Sequence, residues 1–216
     1  MRTVTIIDYG MGNILSVKRA FEYCGAKTEV VSSASKICDA SYLVLPGVGA
    51  FRDAMSELRK LNLVDSIQEY CKKGNPFLGI CLGMQMMMDR SEEFGLSDGL
   101  GLIPGKVVQI EGTTTSEKPH KIPQVGWNEI IVPRGRDSSW WDNSILTGIQ
   151  EKEQVYFVHS FTAKPDDDNY RLADSYYGGR QISAVIKRDN IYGCQFHPEK
   201  SGNIGLNIIN NFIKIK

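Results

Sequence analysis

From Thr3 to Ile80 the chain alternates short apolar runs with amphipathic stretches, and no other feature restricts its possible folds so strongly. Thr3 to Asp8 reads as a strand that runs into a loop holding Gly10 and Gly12. Ile14, Val17, Phe21 and Cys24 then recur at three- and four-residue intervals, which marks one face of a helix, and Gly25 closes it. Glu29 to Val31 and Tyr42 to Leu45 are predicted strands, the second of them halted by Pro46-Gly47. Helical patterning returns from Ala50 to Lys60 and from Leu63 to Lys73, before a further strand from Pro76 to Ile80. Strands that alternate with helices in this way imply an α/β fold: a mostly parallel open sheet with helices on both faces, whose ligands gather beyond the carboxyl ends of the strands.

The second half reads differently. Val107 to Ile110, Glu129 to Val132, Val155 to Val158, Ile182 to Ile186 and Ile191 to Gln195 are closely spaced strands, expected to form an antiparallel layer or an extension of the first sheet. A last helix is expected from Asn203 to Ile215, with surface loops at Thr113 to Pro119 and Arg134 to Asn143. The Trp140-Trp141 pair falls in the second of these loops, either capping the core or offering a contact surface. Without an internal repeat or a low-complexity linker, residues 1–216 are expected to form one domain.

Composition removes several function classes. The chain has 25 basic and 25 acidic side chains and no basic block, so it lacks the electrostatic footprint of nucleic-acid binding. No apolar run is long enough to span a bilayer, and the start of the chain lacks the layout of a signal peptide. Cys24, Cys38, Cys71, Cys81 and Cys194 are odd in number and have no metal-ligand spacing, which points to reduced thiols in a cytoplasmic protein with no metal and no cofactor. Four of them are expected to pack in the interior. The fifth is different.

Cys81 lies in Gly79-Ile80-Cys81-Leu82-Gly83-Met84-Gln85, directly after the apolar run Pro76-Phe77-Leu78. This reads as a strand entering a tight turn with the cysteine at its apex, followed by a helix from Leu82. Such a turn projects its side chain at the positive end of the helix, and the flanking glycines allow the crowded backbone. A free thiol is only about 3% ionised at neutral pH, so a nucleophilic cysteine needs a helix N-terminus or an imidazolium beside it. Near the C-terminus stands Phe196-His197-Pro198-Glu199. Residues two apart in extended chain point the same way, so His197 and Glu199 can emerge together, with the carboxylate orienting the imidazole. Together the two segments suggest a Cys81, His197, Glu199 triad.

Gly79 to Gln85 and Phe196 to Glu199 resemble the two signatures of class I, triad-type glutamine amidotransferases. Asp8-Tyr9-Gly10-Met11-Gly12-Asn13, Leu45-Pro46-Gly47-Val48-Gly49-Ala50-Phe51, Gly126-Trp127-Asn128 and Tyr156-Phe157-Val158-His159-Ser160 are further similar to the glutaminase subunits of imidazole glycerol phosphate synthases, over essentially the whole chain. The resemblance implies hydrolysis of glutamine to glutamate and ammonia through a thioester on Cys81. An oxyanion site would come from Leu82 and from an oxyanion strand at Val48 and Gly49. Substrate contacts are implied at Gln85, Ser160 and Phe161, the last standing where tyrosine is more common. Because the chain has no second domain for an ammonia acceptor, the resemblance also implies a heterodimer with a (β/α)8-barrel cyclase that makes imidazole glycerol phosphate and AICAR in histidine biosynthesis. Asn13, Trp127, Asn128, Tyr156 and Lys200 lie in the segments that would face this partner.

Three other readings predict different behaviour. A paralogous subunit supplying ammonia for sugar amidation in surface-polysaccharide synthesis would carry the same motifs. An esterase or peptidase would place its acid between nucleophile and histidine, whereas Glu199 follows His197. A non-catalytic binding module would have no need of all three triad residues. Gly10-Met11-Gly12 lacks the third glycine and the lysine of a phosphate loop and is not read as one.

Overall fold

The computed structural model describes residues 2–215. In chain order its elements are β1 (Thr3–Ile7), α1 (Ile14–Tyr23), β2 (Lys27–Val31), α2 (Ala34–Cys38), β3 (Leu43–Gly47), α3 (Phe51–Lys60), α4 (Val64–Lys72), β4 (Phe77–Cys81) and α5 (Leu82–Met86). The second half adds β5 (Met88–Ser91), β6 (Ser97–Asp98), β7 (Ile103–Gln109), β8 (Gln124–Glu129), β9 (Gln154–His159), β10 (Phe161–Pro165), β11 (Arg171–Tyr177), β12 (Arg180–Arg188), β13 (Ile191–Cys194) and α6 (Gly202–Phe212).

A seven-stranded sheet in the order β11-β12-β13-β4-β3-β1-β2 forms the centre. β2, β1, β3, β4 and β13 run parallel, while β12 and β11 extend the edge antiparallel. The period of two assigns the faces. Val44, Leu78 and Ile80 meet α1 and α6 through Val17, Phe21, Ile208 and Phe212 on one side. Leu43, Leu45 and Phe77 meet α3 and α4 through Met55, Leu58, Ile67 and Tyr70 on the other. The mixed α/β fold with helices on both faces is the expected one.

Several details correct the sequence reading. β3 runs on through Pro46-Gly47, because its pairing with β1 ends at Val44 and the missing N–H of Pro46 breaks no bond on that side. Only β11, β12 and β13 of the later strands extend the central sheet. β7 belongs to a separate four-stranded sheet, β10-β7-β5-β6, and β8 and β9 form a two-stranded ribbon. The strand expected over Glu129 to Val132 lies earlier, with Gly126-Trp127-Asn128 inside it, and Ile131 makes only an isolated bridge to Asp174. The last helix ends at Phe212. Trp141 is buried, its Nε1–H donating to the Leu172 carbonyl at 2.8 Å, so this half of the tryptophan pair belongs to the core. Trp140 packs partly buried beside it, under the Arg136 guanidinium at 4.0 Å.

Topology brings three strand ends together. Gly47, the last residue of β3, is in register with Cys81, the last of β4, and Cys194 at the end of β13 is in register with Ile80. The loop after β3, the turn after β4 and the segment after β13 therefore open together at the carboxyl ends of the central strands.

Candidate active site

Cys81 ends β4 with φ 54° and ψ −111°, a left-handed conformation that a side-chain-bearing residue adopts at a cost of about 1–3 kcal/mol. The turn is held by close backbone packing. A Cβ on Gly83 would lie 1.8 Å from the Leu45 carbonyl oxygen, and one on Gly79 would lie 2.7 Å from the Gly83 carbonyl oxygen. Only glycine at these two positions lets α5 fold back against β3 and β4. The strain lifts the Cys81 side chain out of the sheet into a cavity of about 400 Å³. α5 is only five residues long, so the backbone N–H of Leu82, its first residue, is more relevant here than any long helix dipole.

His197 and Glu199 arrive on the segment after β13. The Glu199 Oε1 lies 2.8 Å from His197 Nδ1, and both side chains are almost fully buried. Pro198 starts a single turn of 3₁₀ helix that carries the carboxylate back beside the ring. His197 Nε2 has no hydrogen-bond partner and is left for the cavity, whose wall His197 shares with Cys81. Burial alone would lower the His197 pKa. The facing Cys81 sulfur and the Glu199 carboxylate outweigh it and raise the ring to about 9. Such a ring is an imidazolium at neutral pH when the sulfur is anionic.

A second histidine in the same wall is kept neutral. Burial lowers His159 to about 4, against the opposing bond to the Phe161 carbonyl and with the help of the positive charge on His197. Its Nδ1–H donates to the Phe161 carbonyl oxygen at 2.8 Å. One charged imidazole therefore serves the cavity. Burial pushes Cys71 up to about 12 and Cys194 higher still, as expected of packed thiols. Among the described residues no cluster of histidine, cysteine and acidic side chains could hold a metal ion, and no helix is long and apolar enough to cross a membrane.

The remaining residues singled out from sequence fall into two groups. Val48, Gly49, Leu82, Gln85, Ser160 and Phe161 all line the cavity with Cys81 and His197. The Val48 N–H, however, donates to the Met11 carbonyl at 3.0 Å, so it is engaged elsewhere. Gln85 Nε2 donates to the Phe161 carbonyl and to Gln195 Oε1, both at 3.0 Å, which leaves only its own oxygen for a ligand. The Phe161 carbonyl already accepts from both His159 and Gln85, so its two lone pairs are used.

The second group lies outside the cavity. Trp127 and Tyr156 are a cross-strand pair on the β8–β9 ribbon with ring centroids 6.1 Å apart, and Trp127 is 54% exposed. Asn128 is on the same ribbon and donates to the Tyr176 carbonyl, Lys200 is exposed, and Asn13 is half-buried at the start of α1. Sequence reasoning missed Glu93. It is buried in the cavity wall and accepts from the Phe51 N–H at the start of α3 at 2.6 Å. Its only signal was an acidic residue in an irregular stretch, with no periodicity to place it.

An open, mostly parallel sheet with a cysteine on a strained strand-to-helix turn, and an imidazole and carboxylate delivered by the adjacent strand, is suited to attack on acyl groups through sulfur. Solved structures share the fold. A structure of PurLQS from Thermotoga maritima matches with a TM-score of 0.74 at 18% identity, over 99% of this chain and 98% of that one. A crystal structure of a glutamine amidotransferase matches with a TM-score of 0.72 at 14% identity, over 98% and 97%.

The chain belongs to the class-I glutamine amidotransferase family, whose model matches residues 5–215. Among its relatives, imidazole glycerol phosphate synthase subunit HisH 1 of Legionella pneumophila strain Lens is 52% identical over 216 residues, covering 100% of both chains. Imidazole glycerol phosphate synthase subunit HisH of Geobacillus thermodenitrificans is 43% identical over 100% of this chain and 97% of its own.

Proposed function

We propose that this protein is the glutamine amidotransferase subunit of an imidazole glycerol phosphate synthase in histidine biosynthesis, a single domain with Cys81, His197 and Glu199 as its catalytic triad. The observation that carries this is Cys81 on its strained turn sharing one cavity with the His197–Glu199 pair, in a chain alike over its whole length to subunits of that enzyme.

In the first half-reaction the Cys81 thiolate attacks the side-chain carbonyl carbon of glutamine. His197 gives its proton to the amide nitrogen, the C–N bond breaks, and ammonia leaves a γ-glutamyl thioester. In the second half-reaction His197, now neutral, takes a proton from water. The resulting hydroxide attacks the thioester, the C–S bond breaks, and glutamate departs with the thiolate restored. Glu199 fixes the ring tautomer and stabilises its charge. The Leu82 N–H supports the oxyanion, and a second donor comes from Val48 or Gly49 once that loop is re-aimed. Glu93 and the Gln85 oxygen are the acceptors suited to the substrate's α-ammonium, with Ser160 and Phe161 closing the wall around it.

Ammonia set free in water at neutral pH is protonated and stops being a nucleophile. The product therefore has to pass to an acceptor enzyme, the cyclase subunit, in a cytoplasmic heterodimer. The exposed apolar side chains of Val125, Trp127 and Val158, the last of which lines the cavity, support a docking face on the β8–β9 ribbon that also carries Asn128 and Tyr156, with Asn13 and Lys200 as its further proposed contacts.

The test is Cys81→Ala in the complex. Glutamine-dependent synthesis is expected to vanish while synthesis from added ammonium salts persists; loss of both in a folded complex would refute the division of labour. Rescue of a histidine auxotroph separates this pathway from sugar amidation.

A further inference from the structure

We propose that Gln195 is a catalytic residue that stabilises the anionic form of Cys81, its side-chain N–H donating to the sulfur while Gln85 dictates which end of the Gln195 amide faces it. The inference rests on the glutaminase reading and deepens it.

Gln195 is fully buried immediately after β13, and its Nε2 lies 3.9 Å from the Cys81 sulfur. Which amide end faces the sulfur follows from the hydrogen-bond chain. The Phe161 carbonyl can only accept, so the end of Gln85 that meets it at 3.0 Å is the amide NH2. The same nitrogen lies 3.0 Å from Gln195, so the end of Gln195 facing it is the oxygen. The NH2 of Gln195 is thereby turned to Cys81. A main-chain carbonyl in β10 thus sets the polarity of a chain that ends on the nucleophile, without any choice of amide rotamer.

The sulfur also lies 3.9 Å from the Val158 carbonyl, which can accept from a thiol but gives nothing to a thiolate. The sulfur therefore has an acceptor in Val158 that favours its protonated form and a donor in Gln195 that favours its anion. Two titratable groups also face it: the His197 imidazole, which favours the anion when charged, and the buried, protonated Tyr9 phenol. Hydrogen bonds to charged partners are the stronger kind, so removing the donor acts mainly on the thiolate.

The experiment measures ionisation rather than turnover. The rate of Cys81 alkylation by iodoacetamide is followed against pH in the full chain, reading the Cys81 peptide by mass so that the other cysteines do not count. Gln195→Met keeps the length and removes both donors; its midpoint is expected to rise by about one pH unit. Gln195→Glu keeps the acceptor for Gln85 but sets a carboxylate against the sulfur, and its midpoint is expected to rise further. An unshifted midpoint in a folded Gln195→Met chain overturns the proposal. Should neither variant fold, the wild-type side-chain NH2 resonance of Gln195 is expected to move as Cys81 ionises, and a resonance indifferent to that ionisation overturns it equally. Because neither glutamine nor the partner is present, a chain that failed to hydrolyse glutamine would leave this result standing, and an unshifted midpoint would leave the hydrolysis reading intact.

Discussion

His197 concentrates the electrostatics of the site. Its raised pKa means that the charged ring stabilises the folded state fully below 6.5, and that this contribution disappears as pH rises through about 9. In the proposed reaction the same proton is the one delivered to the leaving nitrogen. The pH profile of kcat/KM for glutamine is accordingly expected to fall on its alkaline side near pH 9. In Glu199→Gln one of the two groups that hold the proton is gone, so that limb is expected to move down by about one unit or more, with a large loss of rate. An alkaline limb that stays put in Glu199→Gln would show that the carboxylate does not act on the ring. Glu93 is the contrasting case. Its chemistry was written in the sequence, but its place beside Cys81 was not, because it follows β5 in a stretch without periodic pattern.

At the scale of elements, two short connections shape the proposed site. The turn from β4 into α5 depends on Gly83. A methyl group there meets backbone rather than a movable side chain, so Gly83→Ala is expected to cost about 3 kcal/mol or more in urea unfolding. A cost under about 1 kcal/mol would mean the turn is looser than its packing implies. In the proposed reaction the loop after β3 would supply an oxyanion donor, but its Val48 N–H is tied to Met11. A missing oxyanion donor costs a factor of about 10²–10³ in rate. The isolated chain is therefore expected to hydrolyse glutamine slowly, and to be accelerated by about a hundredfold or more when the cyclase subunit and its ligand are present. Full activity in the isolated chain would contradict this.

For the molecule as a whole, the proposed docking face on the β8–β9 ribbon is connected by hydrogen bonds to the segment that carries His197. The Tyr156 carbonyl accepts from the His197 N–H at 3.0 Å, and the Tyr156 N–H donates to Ser201 Oγ, which itself bonds the His197 carbonyl. A partner pressing on the β8–β9 ribbon thus touches the backbone that positions the imidazole. Trp127, exposed and stacked edge-on against Tyr156, is the expected anchor. Trp127→Ala is expected to weaken partner binding by about 2 kcal/mol, roughly thirtyfold, in titration calorimetry, with the melting temperature of the free chain nearly unchanged. Undiminished affinity would move the docking face elsewhere.

What could be read from the residues alone was whatever local periodicity and turn chemistry encode. The alternation up to Ile80 specified a parallel sheet covered on both faces, Gly79 and Gly83 announced a tight turn at Cys81, and the two-residue spacing of His197 and Glu199 announced a pair. Long-range pairing is not encoded in any one segment. The assignment of β7 and β10 to a second sheet, the separation of the β8–β9 ribbon, and the burial of Trp141 depend on which apolar surfaces find each other after collapse. So does the route from Phe161 through Gln85 and Gln195 to the Cys81 sulfur, which joins residues far apart in the chain. Sequence specified the reactive groups; tertiary structure alone decided their orientations, because hydrogen-bond direction and register are settled only when distant strands meet.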